Sequence, residues 1–186
     1  MPRKAALLLT AAVLAMGSIS WAGPAYQVVN GPKSFYFGHI SLTDVRNDAQ
    51  DPVVLREGAK AAEPAVLNMP LGPGDTIRTS KERRVEIQFD NATIIRLDVD
   101  TELKIETIMA QGLSTANQMS NLVLTRGRLF VMYKQYNSRE LFQVLTPKTA
   151  VKFKHNAVGI VTLSPDGATD VQVRYGKAVA LYGADL

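Results

Sequence analysis

The sequence predicts an all-β protein, either a mostly antiparallel two-sheet sandwich or roll, or a short β-solenoid-like coil of strands. Two observations predict it. Apolar and polar residues alternate with period two from Val66 to the C-terminus, and turn residues separate the alternating runs at regular intervals. With 46% hydrophobic residues and no cysteine in 186 residues, the fold must be held together by a hydrophobic core without disulfides.

The first 22 residues have the layout of a secretory signal peptide. A basic start, Met1–Lys4, precedes an apolar run over Ala5–Met16, and small residues at Ser20 and Ala22 fit cleavage after Ala22. The apolar run is shorter than the roughly 20 residues of a membrane-spanning helix, although an uncleaved anchor is the alternative. We expect Sec-type export, no membrane span after cleavage, and a periplasmic or secreted protein.

The basic charge does not indicate a nucleic-acid-binding protein. Removal of Arg3 and Lys4 with the signal peptide lowers Lys+Arg from 21 to 19 against 17 acidic residues, which leaves a net charge of +2. The densest basic run, Lys81–Arg84, is typical of a solvated turn between strands. We therefore expect no nucleic-acid partner.

The chain divides into a signal peptide over residues 1–22, a leader over 23–65 and a β domain over 66–186. The leader begins with a flexible Gly- and Pro-rich stretch, Gly23–Ser34. It then carries a predicted strand in Phe35–Val45 and a short return strand at Val53–Leu55. Its last part, Ala59–Ala65, reads as a connector or as the start of a helical turn.

The β domain is a series of short predicted strands. A turn at Gly72–Asp75 leads into a strand at Thr76–Thr79. In the next strand, Val85–Phe89, odd-numbered residues face the core and even-numbered residues face water. A hairpin is predicted at Asp90-Asn91, because both residues tolerate positive φ. Further strands are predicted at Leu122–Tyr133, Leu141–Leu145, Ala150–Phe153, Ala157–Thr162, Val171–Tyr175 and Ala178–Tyr182.

Loops separate these later strands. Asp166-Gly167 and Tyr175–Lys177 predict the turns of the last hairpins. The polar run Ala110–Asn121 interrupts the alternation and predicts a mobile loop.

Three acids, Asp98, Asp100 and Glu102, raise the question of a metal site or a catalytic pair. If the strand continues through them, they share its water-facing side. A calcium loop needs glycine at its sixth position, where Leu103 stands instead. Carboxylates on an exposed strand also lack the apolar pocket that raises one pKa in a glycosidase. We therefore predict neither a metal site nor a catalytic pair here.

Other catalytic patterns are missing from the sequence. Its two histidines, His39 and His155, are isolated, and no nucleophile elbow, phosphate-binding glycine loop or zinc-protease motif occurs. Tyr133, Tyr136 and Phe142 could line a ligand groove, although aromatic residues beside a hairpin more often pack in a core. We expect a protein that is not an enzyme and has no cofactor.

The order of several motifs is the most specific signal in the chain. In sequence they are Leu71–Thr79, Val85–Leu97, Thr101–Ile105, Leu124–Val131, Phe142–Val151 and Val171–Val179. In this order and spacing they resemble a FecR-type domain that covers about Leu67–Tyr182. The Gly-Arg of the central strand and the Thr-Pro of a later strand entry match the family pattern.

The sequence also departs from that pattern. His155-Asn156 stands where the family usually has Gly-Thr, and Asn91 stands where its hairpin commonly has Gly. Signalling members carry a cytoplasmic anti-sigma segment, whereas only Met1–Lys4 precedes the apolar run here. The chain therefore resembles the stand-alone exported FecR-like proteins.

Two functions are compatible with this resemblance. The first is a non-catalytic extracytoplasmic module that docks onto or senses an envelope protein. The second is a protein that binds cell-wall glycan or another envelope polymer through exposed Tyr133, Tyr136 and Arg139 beside a sheet edge. The sequence identifies neither the partner nor the oligomeric state.

Overall fold

The computed structural model describes residues 26–27, 38–112, 118–135 and 137–183, and these residues form an all-β structure without an α-helix. Within them, thirteen strands join into one mostly antiparallel sheet that curls into a half-barrel. The predicted fold class is therefore confirmed, whereas a separate two-sheet sandwich or a solenoid is not. None of the described residues builds a helix capable of crossing a membrane.

The strands differ widely in length, from two residues to sixteen. In chain order they are β1 (Tyr26–Gln27), β2 (Gly38–Thr43), β3 (Val53–Leu55), β4 (Glu63–Pro64), β5 (Pro70–Leu71), β6 (Thr76–Arg78), β7 (Val85–Phe89), β8 (Ile94–Leu97), β9 (Glu102–Gly112), β10 (Gln118–Tyr133), β11 (Glu140–Thr146), β12 (Thr149–Leu163) and β13 (Thr169–Tyr182).

Strand β10 is the centre of the sheet. Its first half lies between β9 and the parallel strand β11, and its second half lies between β8 and β12. The change of neighbours occurs around Gly127, whose φ is +89°. A Cβ at this position would lie 2.3 Å from Oγ1 of Thr101, so the crossing requires glycine.

The hydrophobic core fills the inside of the curl and follows the predicted alternation. In β7, Val85, Ile87 and Phe89 are at most 6% exposed. The facing strands add fully buried residues, namely Ile95, Leu97, Leu103, Ile105, Leu122, Leu124, Leu129 and Val131. Burial of this amount of apolar surface is the main source of stability in a chain without disulfides.

The leader is structured in part. Strands β2 and β3 confirm the predictions within Phe35–Val45 and at Val53–Leu55, and both belong to the same sheet as the domain. The connector Ala59–Ala65 contains the short strand β4 and no helical turn. Strand β1 pairs with Gln111 and Gly112. The predicted signal peptide lies outside the described residues.

Two predicted loops are wrong. Within the expected loop Ala110–Asn121, residues 110–112 belong to β9 and residues 118–121 belong to β10, and these two strands pair with each other. Residues 113–117 are not among the described residues. The four predicted strands at the C-terminal end merge into two long ones, β12 and β13. Tyr175–Lys177 is therefore strand rather than turn, whereas the turn at Asp166-Gly167 is confirmed.

A bulge bends this long hairpin where the predicted turn was placed. Lys154 of β12 pairs with Lys177 of β13, and the next pair along the hairpin is Val158 with Tyr175. Three residues of β12 therefore lie opposite one residue of β13. Within the bulge, His155 has a φ of +57°. The resemblance described above implies glycine at this position, and a positive φ is the conformation that glycine adopts at the lowest cost.

The hairpin between β7 and β8 forms as predicted, but its strained residue is Ala92, with a φ of +62°. The Ala92 amide donates to the Phe89 carbonyl at 2.8 Å, and the Asn91 side chain accepts from the Thr93 amide at 2.9 Å. The left-handed residue thus follows Asp90-Asn91 instead of belonging to it, as in a three-residue hairpin loop.

Candidate functional site: the outer face of the sheet

The side of the sheet that points away from the core carries several neighbouring apolar residues. Leu129, Val131 and Tyr133 of β10 point into the core, so the alternate residues of that strand point outward. Neighbouring strands add to the same side through the strand register. We define the outer face as Ile94, Arg96, Arg128, Phe130, Met132, Val158, Ile160 and Tyr175.

One row of the outer face is entirely apolar or aromatic. Met132 pairs with Ile94 of β8 on one side and with Val158 of β12 on the other, and Val158 in turn pairs with Tyr175 of β13. Met132 is 36% exposed and Tyr175 is 66% exposed. An apolar stripe across four strands exposed to water is typical of a surface that another molecule covers.

The adjacent row combines charge with an aromatic ring. Phe130 pairs with Arg96 on one side and with Ile160 on the other. The guanidinium carbon of Arg96 lies 5.4 Å from the centre of the Phe130 ring, in a cation–π contact. Arg96 also donates to Glu86, which accepts a second hydrogen bond from the Ser41 hydroxyl at 2.8 Å.

These contacts set the charge of Glu86. Burial opposes ionisation of the carboxyl, but the hydrogen bonds from Arg96 and Ser41 outweigh it, so the pKa of Glu86 lies below its ordinary value of 4.5. The side chain of Glu86 is only 15% exposed, although the sequence placed it facing water. At neutral pH it therefore remains a carboxylate that holds Arg96 beside the ring.

A third row carries two more arginines. Arg84 donates to the Asp98 carboxylate at 2.7 Å, and the Asp98 amide donates to the Arg128 carbonyl at 3.0 Å. Burial opposes ionisation of Asp98, but the hydrogen bonds from Arg84 and the Val99 amide and the charges of Arg84 and Arg128 lower its pKa below 3.8. Among the described residues, Arg128 makes no ion pair.

The second and third rows line an open groove of about 240 Å³. Its lining consists of three arginines, one carboxylate and three apolar side chains, namely Arg84, Arg96, Leu97, Asp98, Arg128, Phe130 and Ile160. Guanidinium groups are hydrogen-bond donors only, and the Asp98 carboxylate is an acceptor. The lining therefore presents several donors and one acceptor beside an apolar surface.

The interaction surface expected from the sequence is not assembled as predicted. Tyr133 is 2% exposed and stacks on Phe142 with ring centres 5.0 Å apart, so the expectation of an exposed Tyr133 is wrong. Its position in β10 places it on the core side of the strand. Arg139 is exposed in the turn before β11, away from the groove, and Tyr136 lies outside the described residues.

The three acids that follow β8 lie in a turn and at the start of the next strand. Asp98 and Asp100 belong to the turn between β8 and β9, so the prediction of a continuous strand through them is wrong. Each acid pairs with a different arginine. Asp98 pairs with Arg84 at 2.7 Å, Asp100 with Arg126 at 3.2 Å, and Glu102 with Arg78 at 2.6 Å.

The outer face could have been found in the sequence. If Leu129, Val131 and Tyr133 face the core, then Arg128, Phe130 and Met132 must face outward. A phenylalanine and a methionine on the water-facing side of a half-buried strand contradict the expected polar alternation. The cross-strand neighbours of Phe130 could not have been found, because they depend on strand register.

The chain matches one protein family. The family model described as FecR protein matches residues 75–179, which is more than half of the chain. This range includes the groove and every residue of the outer face. No curated protein and no solved structure matches the chain.

Proposed function

Because the chain belongs to the FecR protein family, we propose that it is a non-catalytic interaction or sensing module outside the cytoplasm, with the outer face as its docking surface. The family is a regulatory and signalling family associated with the cell envelope. We place the partner, an envelope protein, on the row formed by Ile94, Met132, Val158 and Tyr175 and on the adjoining groove.

The observation that carries this proposal is the apolar content of the outer face. Exposed apolar residues cost little when scattered singly, but a contiguous stripe with a charged border marks an interaction surface. Met132 and Tyr175 are exposed in such a stripe, Arg96 lies in the adjacent row, and Arg84 and Arg128 lie in the row beyond it. Arginine and aromatic side chains are also the residues enriched at protein interfaces.

The proposed location depends on the N-terminal segment. The layout of residues 1–22 supports Sec-type export and a periplasmic or secreted mature chain. The nearly neutral mature charge supports a protein partner over nucleic acid.

The alternative function, binding of a cell-wall glycan or another envelope polymer, has less support. It was based in part on an exposed Tyr133, and that ring lies in the core. Tyr175 is the remaining well-exposed ring on the outer face, at 66%. Within the groove lining the one aromatic ring is Phe130, and Arg96 covers one of its faces, which limits stacking of a sugar there.

Affinity capture tests the proposal. The parent chain and Phe130→Glu, immobilised at equal density, are exposed to envelope extract, and retained proteins are quantified by mass spectrometry. Phe130→Glu should lose a partner that the parent retains. Leu67→Glu is the matched control, because Leu67 is an exposed apolar residue outside the outer face, 59% exposed. Equal retention by all three proteins would contradict the docking role of the face. Sedimentation of the parent with purified wall polymer tests the alternative.

A further inference from the structure

The three arginines of the groove are not equivalent. Arg84 pairs with Asp98 and Arg96 pairs with Glu86, whereas among the described residues no carboxylate lies within ion-pairing distance of Arg128, whose charge acts on Asp98 only from further away. The backbone of Arg128 is held in β10, with Thr162 of β12 opposite it, and its exposed side chain lies on the outer face. A guanidinium beside an apolar groove can donate a charge-assisted hydrogen bond to a ligand carboxylate.

The apolar part of the groove begins two residues further along the same strand. Phe130 follows Arg128 at the i+2 position, and Ile160 pairs with Phe130. The next outward position in β10 is Met132, which belongs to the apolar row. Outward residues along a strand are about 6.8 Å apart, since the rise per residue is about 3.4 Å. The outer face therefore presents a cation and then two apolar positions at a constant spacing.

An extended peptide presents its alternate side chains at the same spacing. We propose that the groove and the adjoining Met132 bind an extended segment of a partner protein that carries an acidic residue and two apolar residues at successive alternate positions. The acid contacts Arg128, the first apolar side chain lies on Phe130 and Ile160, and the second lies on Met132. This inference rests on the proposed docking function of the outer face and specifies the chemistry of the partner.

The composition of the groove favours a peptide over an anionic polysaccharide. A polysaccharide without apolar substituents would leave the apolar side chains of the lining, Leu97, Phe130 and Ile160, in contact with water. One face of the Phe130 ring is also covered by Arg96 at 5.4 Å, which limits stacking of a sugar on it. Apolar side chains of a peptide, in contrast, remove the surfaces of Phe130, Ile160 and Met132 from water.

The test is a titration of the full chain, labelled with nitrogen-15 and followed by NMR. The probe is an eight-residue peptide, blocked at both ends, with aspartate, leucine and phenylalanine at alternate positions separated by serine. A second peptide replaces the aspartate with asparagine. The largest amide shifts should occur at Arg128, Phe130 and Ile160, and the asparagine peptide should bind about tenfold more weakly, as expected for loss of one charge-assisted contact.

Variants assign the contact to Arg128. Arg128→Gln should weaken binding of the aspartate peptide about tenfold and should bind both peptides equally, because the two changes remove one interaction. Arg139→Gln is the matched control, since Arg139 is an exposed arginine outside the groove, and it should bind like the parent.

Several results would overturn the inference. These are equal affinity of the parent for both peptides, amide shifts away from the outer face, no binding of either peptide, or tighter binding of oligogalacturonate at the same residues. If Phe130→Glu still abolishes capture of an envelope protein in that case, the docking function stands and only the assigned chemistry fails. If capture is unaffected as well, both fail.

Discussion

A Cβ atom placed on Gly176 would lie 2.3 Å from the carbonyl oxygen of Asn156, so only glycine fits where β13 passes the bulge of β12. The φ of Gly176 is +76°, which also disfavours other residues. The bulge at this point bends the longest hairpin of the sheet. The bend separates the part of β12 that pairs with β11 from the part that pairs with β10 and carries Val158 and Ile160.

Substitution at this bend should be costly. Gly176→Ala adds a steric clash with backbone to the strain of a positive φ, and we expect a loss of about 3 kcal/mol or more in the free energy of unfolding. Gly58→Ala is the control, because Gly58 has a φ of +73° but no atom within 4 Å of its Cβ position. That variant should lose about 1 kcal/mol. Equal losses in urea denaturation would show that the close contact with Asn156 is absent.

On the β12 side of the bulge, a substitution should raise the free energy of unfolding instead of lowering it. His155 has a φ of +57° and is exposed, so it carries backbone strain without compensating burial. His155→Gly should raise the free energy of unfolding by about 0.5–1 kcal/mol. Lys154→Gly, at the neighbouring exposed strand position, should lower it by a similar amount because glycine weakens an ordinary strand. A destabilised His155→Gly protein would contradict the left-handed conformation at this residue.

The alternation in β7 can be tested directly. Val85 and Ile87 are 1% and 0% exposed, and an unpaired carboxylate at either position would cost several kcal/mol or become protonated. Since a domain of this size has about 5–15 kcal/mol of stability in total, both Val85→Asp and Ile87→Asp should be largely unfolded. Gln88→Asp should remain folded in the same circular dichroism melts. A folded Ile87→Asp protein would rule out the strand.

Glu86 should make the stability of the protein dependent on pH. Its pKa in the folded protein is lowered from 4.5 by hydrogen bonds that outweigh burial, so its contribution is present above pH 4.5. The contribution is lost as the pH falls through the lowered folded value. Glu86→Gln should therefore melt below the parent at pH 7, and the difference should shrink as the pH falls below 4.5. Arg96→Gln should follow the same pattern, and a difference independent of pH would show that the pair is not coupled.

The parts of the fold that follow from local sequence were predictable. The alternation of Val85, Ile87 and Phe89 specifies which side chains are buried, and Asp166-Gly167 marks a turn because glycine accepts the φ of +82° found there. A resemblance in the order of motifs was sufficient to identify the family. These signals depend on neighbours within a few residues of each other.

The parts that depend on distant strands were not predictable. A glycine within Tyr175–Lys177 is equally compatible with a turn and with the partner strand of a bulge. The two cases differ in the opposing backbone of Asn156, which lies in a distant segment of the sequence. The outer face also depends on strands that are distant in sequence. Phe130 meets Arg96 and Ile160 through the register of β8, β10 and β12, which no single segment specifies.

The central claim is that a partner docks on the outer face, and site-specific photo-cross-linking tests it most directly. The chain has no cysteine, so Ile160→Cys introduces a unique thiol in the groove for a maleimide-linked benzophenone. Lys60→Cys, at an exposed position away from the groove, is the control. After irradiation in envelope extract, the label at residue 160 should form a discrete protein adduct that excess unlabelled parent removes, and the label at residue 60 should not. No adduct at residue 160, or the same adduct from both positions, would contradict the claim.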